Sequence, residues 1–135
     1  MKQIQVAAGI IEENNKVLIC QRHQAGEMPL KWEFPGGKIE PKETGPECLQ
    51  RELWEELSIQ ASVGRLVSHT RHVYERHGSV AIEVHLFFYQ IENYIGEMEN
   101  NVFEQIRWVS RRELIRYDFL EADLDVVGML FNGHI

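Results

Sequence analysis

A chain of 135 residues lies within the size of one domain and can bury a real core, and its 44% hydrophobic and 26% charged content is that of a globular protein, not a disordered one. A formal net charge of -7 argues against a protein that grips a nucleic-acid polymer, because phosphate contacts need clustered Lys and Arg. It leaves a nucleotide substrate open, since carboxylates that first bind divalent cations present positive charge to a polyphosphate.

Ile4 to Glu12 is a run of β-branched and small residues that ends at the turn signal Asn14-Asn15, and Val17 to Gln21 resumes the apolar pattern. These are two strands joined by a tight turn. Arg22 to Glu43 is rich in Gly, Pro and charge and breaks both periodicities, so it reads as a long loop, which inside a compact domain is usually functional. A helix follows: Thr44 with Glu47 has the form of a capping box, and Pro46 falls in the first turn, where its missing N–H costs nothing. Cys48, Leu49, Leu53 and Leu57 repeat at helical spacing and form its buried stripe. Val63 to Tyr74 and Val80 to Ile91 are two strands around Gly78, apolar enough for substantial burial. Ile106 to Val109 is a short strand, Ser110 caps a helix through Arg116, and Leu120 to Phe131 is a closing helix. No repeat, low-complexity tract or linker interrupts this order. It implies a single α/β domain over residues 1–135, one mixed sheet with helices on its faces.

Cys20 and Cys48 match no metal-ligand spacing. A disulfide between them stays open, but two buried or half-buried thiols in a reducing compartment are the expectation. With no signal-like h-region and no apolar run long enough to span a bilayer, the cytoplasm is the expected location and no membrane partner is expected. His69 and His72, three apart in a strand, fall on opposite faces and do not make a zinc pair. Arg71, Arg76 and His77 read as a hairpin-tip charge patch of no special function.

The chemistry concentrates on one helix. Glu52, Glu55 and Glu56 stand at i, i+3 and i+4, so the three carboxylates leave one face and repel each other. An arbitrary Glu-rich helix usually carries such residues as a solvated face. Here they flank the apolar stripe, Arg51 lies one turn before Glu55, and the turn Pro35-Gly36-Gly37 precedes the helix and can bring backbone carbonyls to a ligand. Clustered carboxylate and carbonyl oxygens are what a hard cation such as Mg²⁺ prefers.

The segment from Gly37 to Ile59 resembles the Nudix box, GX5EX7REUXEEXGU, with Gly37, Glu43, Arg51, Glu52, Leu53, Glu55, Glu56 and Ile59 at its defined positions. Ser58 stands where the pattern has Gly and reads as a change in helix termination, with the carboxylates all retained. Ile4 to Ile11, Trp32 to Glu40 and Ile106 to Val109 resemble the MutT branch, which includes sanitisers of mutagenic nucleotides and CTP pyrophosphohydrolases.

That resemblance implies a Nudix α/β/α sandwich with a mixed sheet. It also implies a Mg²⁺-dependent enzyme, with Mn²⁺ as a substitute, that hydrolyses a nucleoside triphosphate to the monophosphate and pyrophosphate. Glu52, Glu55, Glu56 and the Gly37 carbonyl would hold the metal, with Arg51 as their orienting partner. Glu52 reads as base or ligand. Val102 occupies the position of a further family glutamate, and Glu104, two residues on, is weighed evenly between metal ligand and surface residue. Arg22 matches a phosphate-contacting arginine. Glu33, Phe34, Gly36 and Lys38 lie where the family meets its substrate, although Phe34 also suits plain core. Asp123 occupies the position from which the base edge is read, or else serves as a helix N-terminal carboxylate. Ile82 falls where a second arginine is found in MutT. Oxidised guanine, cytosine and 5-methylcytosine all remain open as bases. A nucleoside diphosphate derivative is an alternative substrate, and a non-catalytic nucleotide sensor an alternative role.

Overall fold

In the computed structural model, which describes residues 2–75, 78 and 80–135, the central strands are buried on both faces. β1 (Lys2–Ile10) sends Ala8 and Ile10 to one side, while Ala7 and the following Ile11 go to the other; β3 (Lys16–Gln21) sends Val17 and Ile19 one way and Leu18 and Cys20 the other. Strands covered on both faces carry continuous apolar runs, which is what the sequence shows at these positions. On one side α1 (Gly45–Leu57) packs Cys48, Leu49, Leu53 and Leu57 into a core cluster; on the other α2 (Leu124–Phe131) packs Val126, Val127 and Leu130 into a second. The result is the α/β/α sandwich.

The strands divide between two sheets. One is mixed, in the order β5-β1-β7-β6, with β5 (Gly36–Lys38), β6 (Gln60–Tyr74) and β7 (Ile82–Ile95); β1 runs parallel to β7 and antiparallel to β5. The other is antiparallel and centres on β3, which pairs with β2 (Glu12–Glu13), β4 (Trp32–Glu33) and β8 (Gln105–Val109). The expectation of one mixed sheet therefore merged two. The first strand run divides accordingly at Ile11, and the Gly9 amide donates to the Pro35 carbonyl at 2.8 Å there.

Local chemistry accounts for most boundaries. Asn14 and Asn15 both take left-handed backbone, with φ of 52° and 62°, as a tight hairpin turn requires. The Thr44–Glu47 capping box forms in both directions. Ser110 and Glu113 form another, but the segment it opens, Arg111–Arg116, is a 3₁₀ helix. The closing helix also begins differently, as a 3₁₀ turn over Glu121–Asp123 that leads into α2. The expected loop from Arg22 to Glu43 contains β4 and β5, strands of two and three residues, too short to display a period.

Ser58 keeps the left-handed termination that the family pattern assigns to Gly, at φ 59° and ψ 30°. Its hydroxyl accepts from Asn101 Nδ2 at 2.9 Å, and the Asn101 amide caps the Glu56 carbonyl at 3.0 Å. The expected change in helix termination is thus a change of side chain on the same backbone. Both cysteines are buried and free. No helix among the described residues is long and apolar enough to cross a membrane.

Candidate active site

Arg51 organises the carboxylate face of α1. Its Nε and Nη2 donate to the two Glu43 oxygens at 2.8 and 3.0 Å, Nη1 donates to Glu52 at 2.8 Å and to Glu55 at 3.5 Å, and Nη2 also reaches the Lys38 carbonyl at 3.2 Å. This bidentate grip holds the Glu43 carboxyl down at about pKa 2, and the Glu43 and Glu52 carboxylates raise the guanidinium pKa in return. Arg51 thus bonds Glu43, Glu52 and Glu55 at once. Glu52 and Glu56 turn inward, and burial raises both carboxyls. Glu56 is pushed up to about 9 by desolvation and then by the charges of Glu52 and Glu33. Glu55 remains more than half exposed.

β5 meets this face edge-on. The Gly36 amide donates to Glu56 Oε1 at 3.2 Å. A Cβ on Gly36 would overlap the Ala7 backbone, so that glycine is required by a close approach, whereas one on Gly37 would displace the Glu52 carboxyl from its place. From behind, the Cys48 thiol donates to the Gly37 and Lys38 carbonyls at 3.4 Å each.

A cavity of about 570 Å³ starts here, bounded by Gly36, Gly37, Lys38 and Glu56, and runs to Arg22, Glu33, Phe34 and Asp123. Arg22 donates to Glu33 Oε1 at 3.1 Å and to the Glu27 carbonyl at 2.9 Å. Burial raises the Glu33 carboxyl against the opposing pull of Arg22. Asp123, 3% exposed, accepts from the Phe34 amide at 3.4 Å, and burial raises its carboxyl well above the usual range. It stands at the N-terminus of α2, where its side chain makes no cap hydrogen bond. Phe34 lines the cavity and also packs edge-on against Phe88 in the core.

Glu104 lies apart from the cavity lining. It accepts from the Gln24 amide at 3.3 Å and stands 4.0 Å from His23. His69 and His72 do face opposite ways: His69 stacks on Phe87, while His72 pairs with Glu121 at 3.0 Å. Arg71 pairs with Glu83 at 3.1 Å, whereas Arg76 and His77 lie outside the described residues. Sequence reading missed the apolar wall formed by Ile4, Val6 and Ala8 of β1 with Ile82, Val84 and Leu86 of β7, and also Tyr74. The i, i+2 alternation in both strands was the available signal.

Among the described residues no three His, Cys, Asp or Glu side chains are gathered as a metal cluster. The donor chemistry nevertheless fits a hard divalent cation. Glu52, Glu55 and Glu56 share one face, the Glu55 charge adds to the rise of both the Glu52 and the Glu56 carboxyl, and Arg51 is the cation bonded to Glu52 and Glu55.

The NUDIX domain family profile matches residues 1–127. The CTP pyrophosphohydrolase of Escherichia coli (strain K12) is 37% identical over 128 residues, covering 94% of this chain and 90% of that protein. The 8-oxo-dGTP diphosphatase of the same organism is 35% identical over 132 residues, covering 96% of this chain and 98% of its own. Among solved structures, the E. coli ORF135 protein superposes with a TM-score of 0.81 at 34% identity over 98% of this chain and 91% of that one. The MutT protein from Methanosarcina mazei Go1 shares the fold, with a TM-score of 0.83 at 19% identity over 98% and 96% of the two chains. With the signature helix, its glycine strand and the sandwich around them matched over nearly the whole chain, the protein belongs to the NUDIX family.

Proposed function

We propose that this chain hydrolyses nucleoside triphosphates to the monophosphate and pyrophosphate, with Mg²⁺ as its metal. The observation that carries the reading is the continuity of one cavity from Glu56 and the glycines of β5 to the buried acid Asp123. Such a cavity suits a ligand with a polyphosphate at one end and a base at the other.

Glu52, Glu55, Glu56 and the Gly37 carbonyl would hold the cation. When bound, it supplies charge neutralisation at the phosphates and activation of water. The remaining work is positioning. Arg51 holds Glu52 and Glu55 in place, the Gly36 amide holds Glu56, and the thiol of Cys48 holds the Gly37 carbonyl from behind. Arg22, beside Glu33, is the cavity's guanidinium and would meet phosphate. At the far end, burial and the Glu33 charge favour the neutral form of Asp123. A neutral carboxylic acid offers one donor and one acceptor, as an amide does. It complements a base edge that pairs an acceptor with an N–H donor, such as N3 and N4 of cytosine or O6 and N1 of guanine.

The test is a screen of canonical, oxidised and 5-methylated triphosphates with Mg²⁺, following pyrophosphate release. Turnover of at least one triphosphate to monophosphate and pyrophosphate supports the proposal. Turnover of nucleoside diphosphate derivatives alone would replace the substrate, and binding without turnover would replace the enzyme with a sensor.

A further inference from the structure

The buried acid Asp123 is held by little of its own. Its side-chain bond from the Phe34 amide is 3.4 Å long, so its placement must come from the backbone that carries it. That backbone, from Asp118 to Asp123, is tacked to β4 at its near end: the Trp32 amide donates to the Asp118 carbonyl at 2.9 Å, and the Leu120 amide to the Trp32 carbonyl at 3.0 Å. Its far end is gripped by β6. The Tyr74 hydroxyl accepts from the Ala122 amide at 3.3 Å, the Thr70 hydroxyl donates to the Ala122 carbonyl at 3.4 Å, and His72 Nε2 stands 3.0 Å from Glu121 Oε2.

These three side chains stand at i, i+2 and i+4 on one strand, so they form a single row. Their phase is fixed by register. The irregularities in the β6–β7 pairing all lie before Ser68, and from Ser68 to Tyr74 the pairing runs unbroken. The alternate residues His69 and Arg71 turn away, to Phe87 and Glu83. The row therefore holds both backbone groups of the residue preceding Asp123.

We infer that Thr70 and Tyr74 are positioning residues for base discrimination: by clamping Ala122 they set where the Asp123 carboxyl stands in the cavity. The inference rests on the reading of Asp123 as the base contact. Thr70 is absent from the cavity lining, whereas Tyr74 borders it, and this difference separates positioning from direct contact.

The test uses the full-length chain. Tyr74→Phe and Thr70→Val each remove one grip and keep the side-chain shape, while Thr70→Ser keeps the hydroxyl. Two readouts are taken: the amide resonance of Phe34 in ¹H–¹⁵N spectra, and kcat/KM for the preferred nucleotide against a poor one. The expected result is that both Tyr74→Phe and Thr70→Val shift the Phe34 amide. The same two changes should reduce discrimination by about fivefold, mostly through KM, and Thr70→Ser should behave as wild type. An unmoved Phe34 amide in both variants overturns the clamp. A loss of discrimination in Tyr74→Phe alone overturns positioning in favour of direct contact. Discrimination unchanged in both, where Asp123→Asn alters it, overturns the link from clamp to specificity. If Asp123→Asn itself leaves discrimination unchanged, the base-reading role fails, and the amide shift still decides whether the clamp exists.

Discussion

Burial changes what Asp123 can offer a ligand. An ionised carboxylate only accepts hydrogen bonds, whereas the neutral acid both donates and accepts. Because the carboxyl is raised by desolvation first and by Glu33 second, the donating form persists to higher pH than in an exposed aspartate and is lost as pH rises through the raised value. Asp123→Asn fixes a donor and an acceptor at every pH. The ratio of kcat/KM between cytosine and guanine nucleotides should therefore drift with rising pH in the wild type and stay flat in Asp123→Asn; using a ratio cancels the pH dependence of the chemistry. Parallel profiles would remove Asp123 from the base. Glu56, as the proposed ligand, would have the opposite task of giving up a proton held to about pKa 9 before binding a cation. Glu56→Gln keeps the shape and removes the charge, and should lower kcat by about a hundredfold or more while the chain folds normally. A kcat within a few-fold of wild type would exclude Glu56 as a ligand.

Between α1 and β5 the controlling contact is the Arg51 fork, which holds Glu43, Glu52, Glu55 and the Lys38 carbonyl together. A lysine ammonium is a point charge on a flexible stem and cannot span that set. Arg51→Lys should cost about tenfold or more in kcat with a smaller change in KM, measured by steady-state kinetics; kcat within twofold of wild type would make the fork dispensable. Legibility from sequence followed the same elements. The helix face was readable because capping, stripe and carboxylate spacing all act within a few residues of chain, and the NUDIX signature overlies them. β4 and β5 were not readable: they exist through pairing of Glu33 with Cys20 and of Gly37 with Ala7, and no local period announces a partner elsewhere in the chain. The same holds for the division into two sheets, which depends on which edges pair. Arg22 and Asp123 were named from resemblance alone; that the two border one cavity is a product of the fold. The Ala122 clamp left no sequence signal, because a Thr-x-His-x-Tyr row in a strand is ordinary until a 3₁₀ turn lies across it.

The whole molecule carries an electrostatic load that links its stability to pH. Glu33, Glu52, Glu56 and Asp123 all have carboxyls raised by burial, so the folded chain holds their protons more tightly than the unfolded chain does. For Glu56 the unfolded value is the ordinary 4.5 and the folded one about 9. Its contribution is complete below the lower value and is lost as pH climbs through the window to the higher. Glu43 works the other way: held at about 2, it stabilises above its ordinary range and loses that only as pH falls toward about 2, so it is flat across the Glu56 window. Metal-free protein should therefore lose Tm as pH rises from about 5.5 to 8.5, by several degrees, given that about 1 kcal/mol moves Tm by roughly 3–5 °C at this size. A divalent cation seated on these carboxylates, as proposed, would compete with the protons for their oxygens and stabilise whichever state binds it. Mg²⁺ or Mn²⁺ should thus raise Tm more at pH 8.5 than at 5.5, and Glu56→Gln should shrink both the metal-free slope and the metal-induced gain. Chelator should abolish turnover over the same range. Thermal melts of both proteins, with and without metal at the two pH values, measure all of these stability terms. A metal-free Tm that is flat with pH, together with an equal metal gain at both values, would mean that the buried carboxylates neither carry this load nor serve as the cation's seat.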